Sequence, residues 1–145
     1  MLKSVDTNIL LYAVNRSCAE HKKAVKIYQE VLDSPYEWII ADQVLFEFYT
    51  ALQNPAVLSR PLSTAGALEQ IKFLREESGV MFCAYEVTLW KSLIELLGAS
   101  KSKKRIIFDY VLAATLKSHG VTSFFTRNKR DFVELGLFEV VDPLG

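Results

Sequence analysis

The sequence predicts an α/β protein: a three-layer sandwich with a mainly parallel central sheet and helices on both faces. Short apolar runs of strand length recur along the chain, at residues 2–5, 38–41, 80–84, 123–126 and 138–141. Segments with apolar residues at helical spacing stand between most of them. Strands separated by helices need crossover connections, and crossovers build parallel sheets. The 145 residues are half hydrophobic and 23% charged, with no repeat, low-complexity tract or long linker. Such a chain forms one domain over residues 1–145 and buries a sizeable core.

Each element has a local reason. Residues 2–5 form a strand that Asp6-Thr7-Asn8 ends, and residues 9–14 begin a helix. Residues 18–32 place Ala24, Ile27, Tyr28 and Val31 on one helical face, and Ser34-Pro35 breaks that helix. Residues 38–41 read as a short buried strand. Asp42 is placed to cap a helix over 43–53, which stops at Asn54-Pro55 because the residue before proline disfavours the α region. Ser63 caps a helix running to about Glu77, and Gly79 ends it. After the strand at 80–84, a helix over 86–97 is expected to turn Leu89, Trp90, Leu93 and Leu97 inward. Residues 98–104 form a polar loop. Ile106-Ile107-Phe108 leads into a helix over 109–119 that Gly120 terminates. A strand at 123–126, a short helix at 131–135 and a strand at 138–141 complete the chain.

Composition excludes several classes. There are 17 basic and 17 acidic residues, so a protein that coats nucleic acid through net charge is not expected. Any nucleic-acid contact must use local basic groups. The two cysteines support no disulfide framework, and Cys83 lies in an apolar run as a small buried hydrophobe. The opening residues run straight into charge and form no signal peptide, and no apolar run approaches the roughly 20 residues that span a membrane. A soluble, cytoplasmic protein is expected. No G-x-S-x-G or phosphate-binding glycine loop is present. His21 and His119 stand alone on polar helix faces and read as surface residues.

Four acids remain. Asp6 directly follows the first strand, where a ligand and a helix cap are both plausible residues. Glu47 stands beside Val44, Phe48 and Ala51, so it flanks an apolar stripe. A carboxylate buried there needs a cation or a basic partner. Asp109 follows an apolar segment and precedes Leu112, Ala113 and Leu116 on one face; a first-turn acid favoured by the helix dipole is its other reading. Asp131 sits in Thr126-Arg127-Asn128-Lys129-Arg130-Asp131-Phe132, where capping of the last helix is the alternative. Gathered together, these like charges would repel without a cation, and Mg²⁺ suits them because it prefers oxygen ligands and keeps several waters.

These residues carry a resemblance. Val5-Asp6-Thr7-Asn8-Ile9-Leu10, Gln43-Val44-Leu45-Phe46-Glu47-Phe48, Phe108-Asp109-Tyr110-Val111-Leu112-Ala113-Ala114 and residues 126–132 resemble, in order, four motifs of PIN-domain ribonucleases, specifically the VapC-type toxins of bacterial toxin–antitoxin pairs. The resemblance spans nearly the whole chain. It implies that Asp6, Glu47 and Asp109 are metal ligands and that Asp131 or Asn128 completes the site, with Thr126 hydrogen-bonding a neighbouring carboxylate. It implies Mg²⁺ or Mn²⁺ as cofactor, RNA as substrate, a cognate antitoxin and a homodimer. Tyr110 stands where many relatives have a small residue.

One or two metal ions would activate a water for in-line attack at a phosphodiester, leaving a 5′-phosphate and a 3′-hydroxyl. Arg105 and Arg127 are the expected phosphate contacts, within basic clusters at Lys101, Lys103 and Lys104 and at Lys129 and Arg130. Phe46, Phe48, Tyr49, Phe73 and Trp90 supply either core packing or a partner surface. A nuclease that processes RNA or cleaves DNA without an antitoxin, and a non-catalytic binding module, are the competing readings.

Overall fold

The computed structural model describes residues 1–100 and 107–145. Within them the chain runs β1 (Leu2–Val5), α1 (Thr7–Val14), α2 (His21–Asp33), β2 (Ile39–Ala41), α3 (Asp42–Leu52), α4 (Thr64–Lys72), β3 (Met81–Cys83), α5 (Leu89–Ala99), α6 (Ile107–Ser118), β4 (Val121–Phe125), α7 (Lys129–Val133) and β5 (Glu139–Val141). A π-helical turn, Phe73–Glu77, extends α4, so the segment that Ser63 caps does run to Glu77, but not as one α-helix. Gly79 and Gly120 follow their helices with φ of 80° and 86°, the left-handed conformation that a glycine adopts without a Cβ penalty.

Every strand pair is parallel: β1 with β4, β4 with β5, and β2 with β3. A parallel bridge from Lys3 to Trp38 joins the two groups, giving the order β3-β2-β1-β4-β5. The chain thus builds outward on one side of β1, then returns and builds on the other. The reversal falls between β1 and β4. In such sheets a crevice opens outside the carboxyl ends of the strands at that point. Asp6, Thr126 and Asp142 are the residues immediately beyond β1, β4 and β5.

The helices fall into two groups. α1 packs on α2 and α3, and α3 on α4; α6 packs on α5 and α7. The main core joins Val5, Ile9, Leu10, Ile40, Val44, Phe48, Leu112, Leu116 and Phe124 across the sheet. Ala24, Ile27 and Val31 face it from α2 as their spacing predicts, and Cys83 is buried.

Several expectations change. α2 begins at His21, because Cys18 belongs to the turn before it. Asp42 is the first residue of α3 and makes no cap bond; the helix starts from Ala41. Asp131 lies within α7, whose N-cap position is Asn128. The inward face of α5 is narrower than predicted. Only Leu93 is buried, while Trp90 is 60% and Leu97 38% exposed. The reason is that α5 packs mainly on α6, in a small cluster of Leu93, Tyr110 and Ala114 that covers one stripe of the helix. Lys101, Lys103, Lys104, Arg105 and Ile106 lie outside the described residues.

Candidate functional site

The crevice is built outward from Asp6. Its backbone N–H continues the sheet by donating to the Phe125 carbonyl at 2.9 Å. Its side chain does cap α1: the Thr7 N–H donates to Oδ1 at 2.8 Å. Capping uses only one oxygen. The Thr126 hydroxyl donates to Oδ2 at 2.7 Å, and the Asn8 amide approaches the same oxygen at 3.4 Å. Asp6 is 7% exposed. Burial pushes its carboxyl up to about 6; the hydrogen bonds from Thr126 and Thr7 oppose that, and the charges of Glu47 and Asp109 add to it. The charges of Glu47 on α3 and Asp109 on α6 therefore both bear on Asp6, at the end of β1.

Glu47 is exposed, although Val44 and Phe48 beside it are buried, which corrects the expected burial. The apolar stripe of α3 enters the core, and the adjoining edge carrying Glu47 opens to the crevice. The carboxylate is nevertheless held. Thr7 Oγ1 donates to Oε2 at 2.8 Å and the Gln43 amide donates to Oε1 at 3.2 Å. Among the described residues Glu47 has no basic partner, so the ion-pair alternative finds no support there. Asp109 occupies the first turn of α6 and is half-buried.

Asp131 is exposed on α7. It lines a cleft of about 530 Å³ with Arg127, Asn128, Lys129, Arg130, Val133 and Asp142. Thr126 links this region to Asp6. It is fully buried, and its hydroxyl also accepts the Asn128 N–H at 3.0 Å. Asn128 is exposed and joins this network through its backbone. The Arg127 N–H donates to Asn8 Oδ1 at 3.1 Å, and its guanidinium pairs with Asp142 at 3.3 Å. Arg105 lies outside the described residues.

Sequence reasoning gave no role in the site to Thr7, Asn8, Gln43 or Asp142, although the first three stand within the motifs that carry the family resemblance. Asp142 had a readable signal: it directly follows an apolar strand, as Asp6 does. Gln43 had a weaker one, four residues before Glu47 and so on the same helix face.

Among the described residues no three His, Cys, Asp or Glu side chains form a ready-made metal cage. The donor chemistry still fits Mg²⁺ or Mn²⁺. Mg²⁺ is bound through one or two carboxylates and retains water, so it needs no all-protein cage. A buried carboxylate whose ionisation is opposed by burial and by two like charges is one that a bound cation would relieve. The histidines supply no competing site. His21 Nδ1 meets the Tyr12 carbonyl at 2.9 Å, and His119 meets the Thr115 carbonyl and Glu86.

Comparison with known proteins matches residues 3–136 to the PIN domain family model. The chain is 36% identical over 141 residues to Ribonuclease VapC24 of Mycobacterium tuberculosis, covering 97% of this chain and 96% of that protein. Among solved structures, the Mycobacterium tuberculosis toxin VapC20, described as cleaving the sarcin–ricin loop, superposes with a TM-score of 0.70 at 20% identity, covering 95% of this chain and 98% of that one. DNA-bound VapBC from Salmonella typhimurium superposes with a TM-score of 0.70 at 16% identity, covering 99% of each chain.

Proposed function

Since the chain belongs to the PIN domain family, we propose that it is a Mg²⁺- or Mn²⁺-dependent endoribonuclease of the VapC type, the toxin of a type II toxin–antitoxin pair. The observation that carries this reading is the buried carboxylate of Asp6 at the sheet's reversal point, raised to about 6 and acted on by Glu47 and Asp109. The ribonuclease relative supports RNA as substrate.

Asp6, Glu47 and Asp109 would hold the metal, with Asp131 or Asn128 completing the site from the side of α7. When bound, the metal supplies an activated water and charge stabilisation at the scissile phosphate. The chain's own residues do the positioning. Thr126 favours the ionised form of Asp6 by donating to it, which opposes the effect of burial. Thr7 joins two carboxylates, through its N–H to Asp6 and its hydroxyl to Glu47. Arg127, Lys129 and Arg130 line the adjoining cleft, where cations draw a polyanion toward an acidic centre. Arg105 belongs to the same reading.

Partners are proposed from the exposed apolar surface. Phe48 is core, and Tyr49 and Phe73 pack against it. Phe46 and Trp90 are exposed, and Trp90 continues into Ile94 and Leu97 along α5. These faces suit a homodimer and a cognate antitoxin. The VapBC assemblies among the structural relatives support the antitoxin. No helix among the described residues is long and apolar enough to cross a membrane, in keeping with a proposed cytoplasmic location.

RNA cleavage by purified protein, with end mapping, tests the proposal. Mg²⁺ or Mn²⁺ should be required, EDTA should stop the reaction, and the products should carry 5′-phosphates. Full activity in chelator, or 2′,3′-cyclic phosphate ends, would refute it. An antitoxin-like reading frame beside the gene separates the toxin from an RNA-processing or DNA-cleaving relative.

A further inference from the structure

Glu47 is exposed, yet donors from two elements hold both of its oxygens. The Gln43 amide nitrogen carries two N–H groups. One donates to Glu47 Oε1 at 3.2 Å and the other to the Phe108 carbonyl at 3.0 Å. Both partners are acceptors only, so the reversed amide would set oxygen against oxygen and lose both bonds. Phe108 immediately precedes Asp109 in the first turn of α6. One side chain thus ties the carboxylate of α3 to the turn that carries the carboxylate of α6.

α3 packs chiefly on α1, α4 and β2, and α6 chiefly on α5, α7, β2 and β4; the two are not a closely packed pair. A cleft lies between them, lined in part by Gln43, Phe46, Tyr85 and Phe108. Both helices are seated on β2, and the Gln43 carboxamide adds a direct side-chain link between them. From Asp6 the hydrogen bonds run through Thr7 to Glu47, then through Gln43 to α6, so all three carboxylate-bearing elements are linked. Each Glu47 oxygen accepts one of these bonds and keeps lone-pair capacity for a cation.

We propose that Gln43 is a positioning residue: its carboxamide fixes Glu47 against the Asp109-bearing turn of α6 for divalent-cation binding. This rests on the metal-dependent reading of the site. Outer-shell partners of metal ligands act in this way, and their loss costs about 10–100-fold in affinity or activity.

The test compares the parent with Gln43→Met, which keeps the length and removes both donors. Mn²⁺ is titrated calorimetrically into chelator-stripped protein, kcat and KM are measured on RNA, and melting of the metal-free proteins checks the fold. The Mn²⁺ Kd of Gln43→Met should rise about tenfold, the lower end of the outer-shell range. kcat should fall with KM little changed, because the basic residues that draw in RNA are untouched. The metal-free melting temperature should stay within about 4 °C, as for a change of no more than about 1 kcal/mol in a domain of this size. A Mn²⁺ Kd within twofold of the parent overturns the role of Gln43 alone, whether or not melting changes. A parent that binds no Mn²⁺ overturns the metal reading and the Gln43 role with it.

Discussion

Thr126→Val removes one oxygen at the most enclosed point of the site and keeps the shape of the side chain. In the parent, that hydroxyl donates to Asp6 Oδ2 at 2.7 Å and is fully buried. The length suits a charge-assisted O–H to carboxylate bond. Bonds to charged groups contribute about 1.5–3 kcal/mol. Part of that loss depends on pH, because the Thr126 bond lowers the Asp6 pKa and its removal pushes the group further above 6. At 1.36 kcal/mol per unit, complete loss of the preference for the ionised form would move Asp6 by roughly one to two units. The rest is independent of pH, since the Asn128 N–H also loses its acceptor. Two assays separate these parts. Denaturant unfolding of metal-free protein should show a deficit against the parent that grows as pH rises through about 6. The acid limb of kcat/KM for RNA cleavage should move upward by up to about two units. A variant with a constant stability deficit and an unmoved acid limb would refute the argument that Thr126 acts on the ionisation of Asp6.

Asp6 also gives the metal-free parent a pH dependence. Its folded value of about 6 lies above the ordinary 3.8, so its contribution to stability is fully present below pH 3.8 and is lost as pH rises through 6. The loss is about 3 kcal/mol, from roughly two units at 1.36 kcal/mol each. Added Mg²⁺ should therefore raise the melting temperature strongly at pH 8 and weakly at pH 5, where protons compete for the ligand; equal shifts at both would count against Asp6 as a ligand. Asp109→Asn should leave metal-free stability within about 1 kcal/mol of the parent while activity falls by more than the roughly 10–100-fold that an outer-shell loss costs. A destabilised but active protein would restore the helix-dipole reading of Asp109. Arg127→Ala should reduce the salt slope of RNA binding by about 0.7, the value for one phosphate contact on a single strand; an unchanged slope would assign Arg127 to its pair with Asp142.

Much of the framework was legible because each strand and most helices carry local signals. Ser63 and Gly79 bound their helix as predicted, and the runs that became β1, β2 and β3 were found within two residues. α5 shows where local pattern fails. Apolar residues at helical spacing were expected inward, yet Trp90 and Leu97 are exposed, because periodicity says which residues share a face but not whether a neighbour covers it. Glu47 failed in the same way. Its neighbours are buried, and the edge of α3 that it occupies meets the crevice.

The sequence by itself determined the α/β class and the parallel strands, since strand–helix alternation is a local property. Tertiary structure decided which charges bear on Asp6. Glu47 and Asp109 are far from Asp6 in the chain, and their charges bear on it because parallel crossovers return successive strands to the same edge of the sheet. It also separated the two roles of Asp6, which caps α1 with one oxygen and meets Thr126 with the other. Thr126 is 120 residues away in sequence, and only the pairing of β1 with β4 brings its hydroxyl to that carboxylate. A raised pKa depends on burial and on charges across space, and neither is a property of a residue's neighbours in the chain.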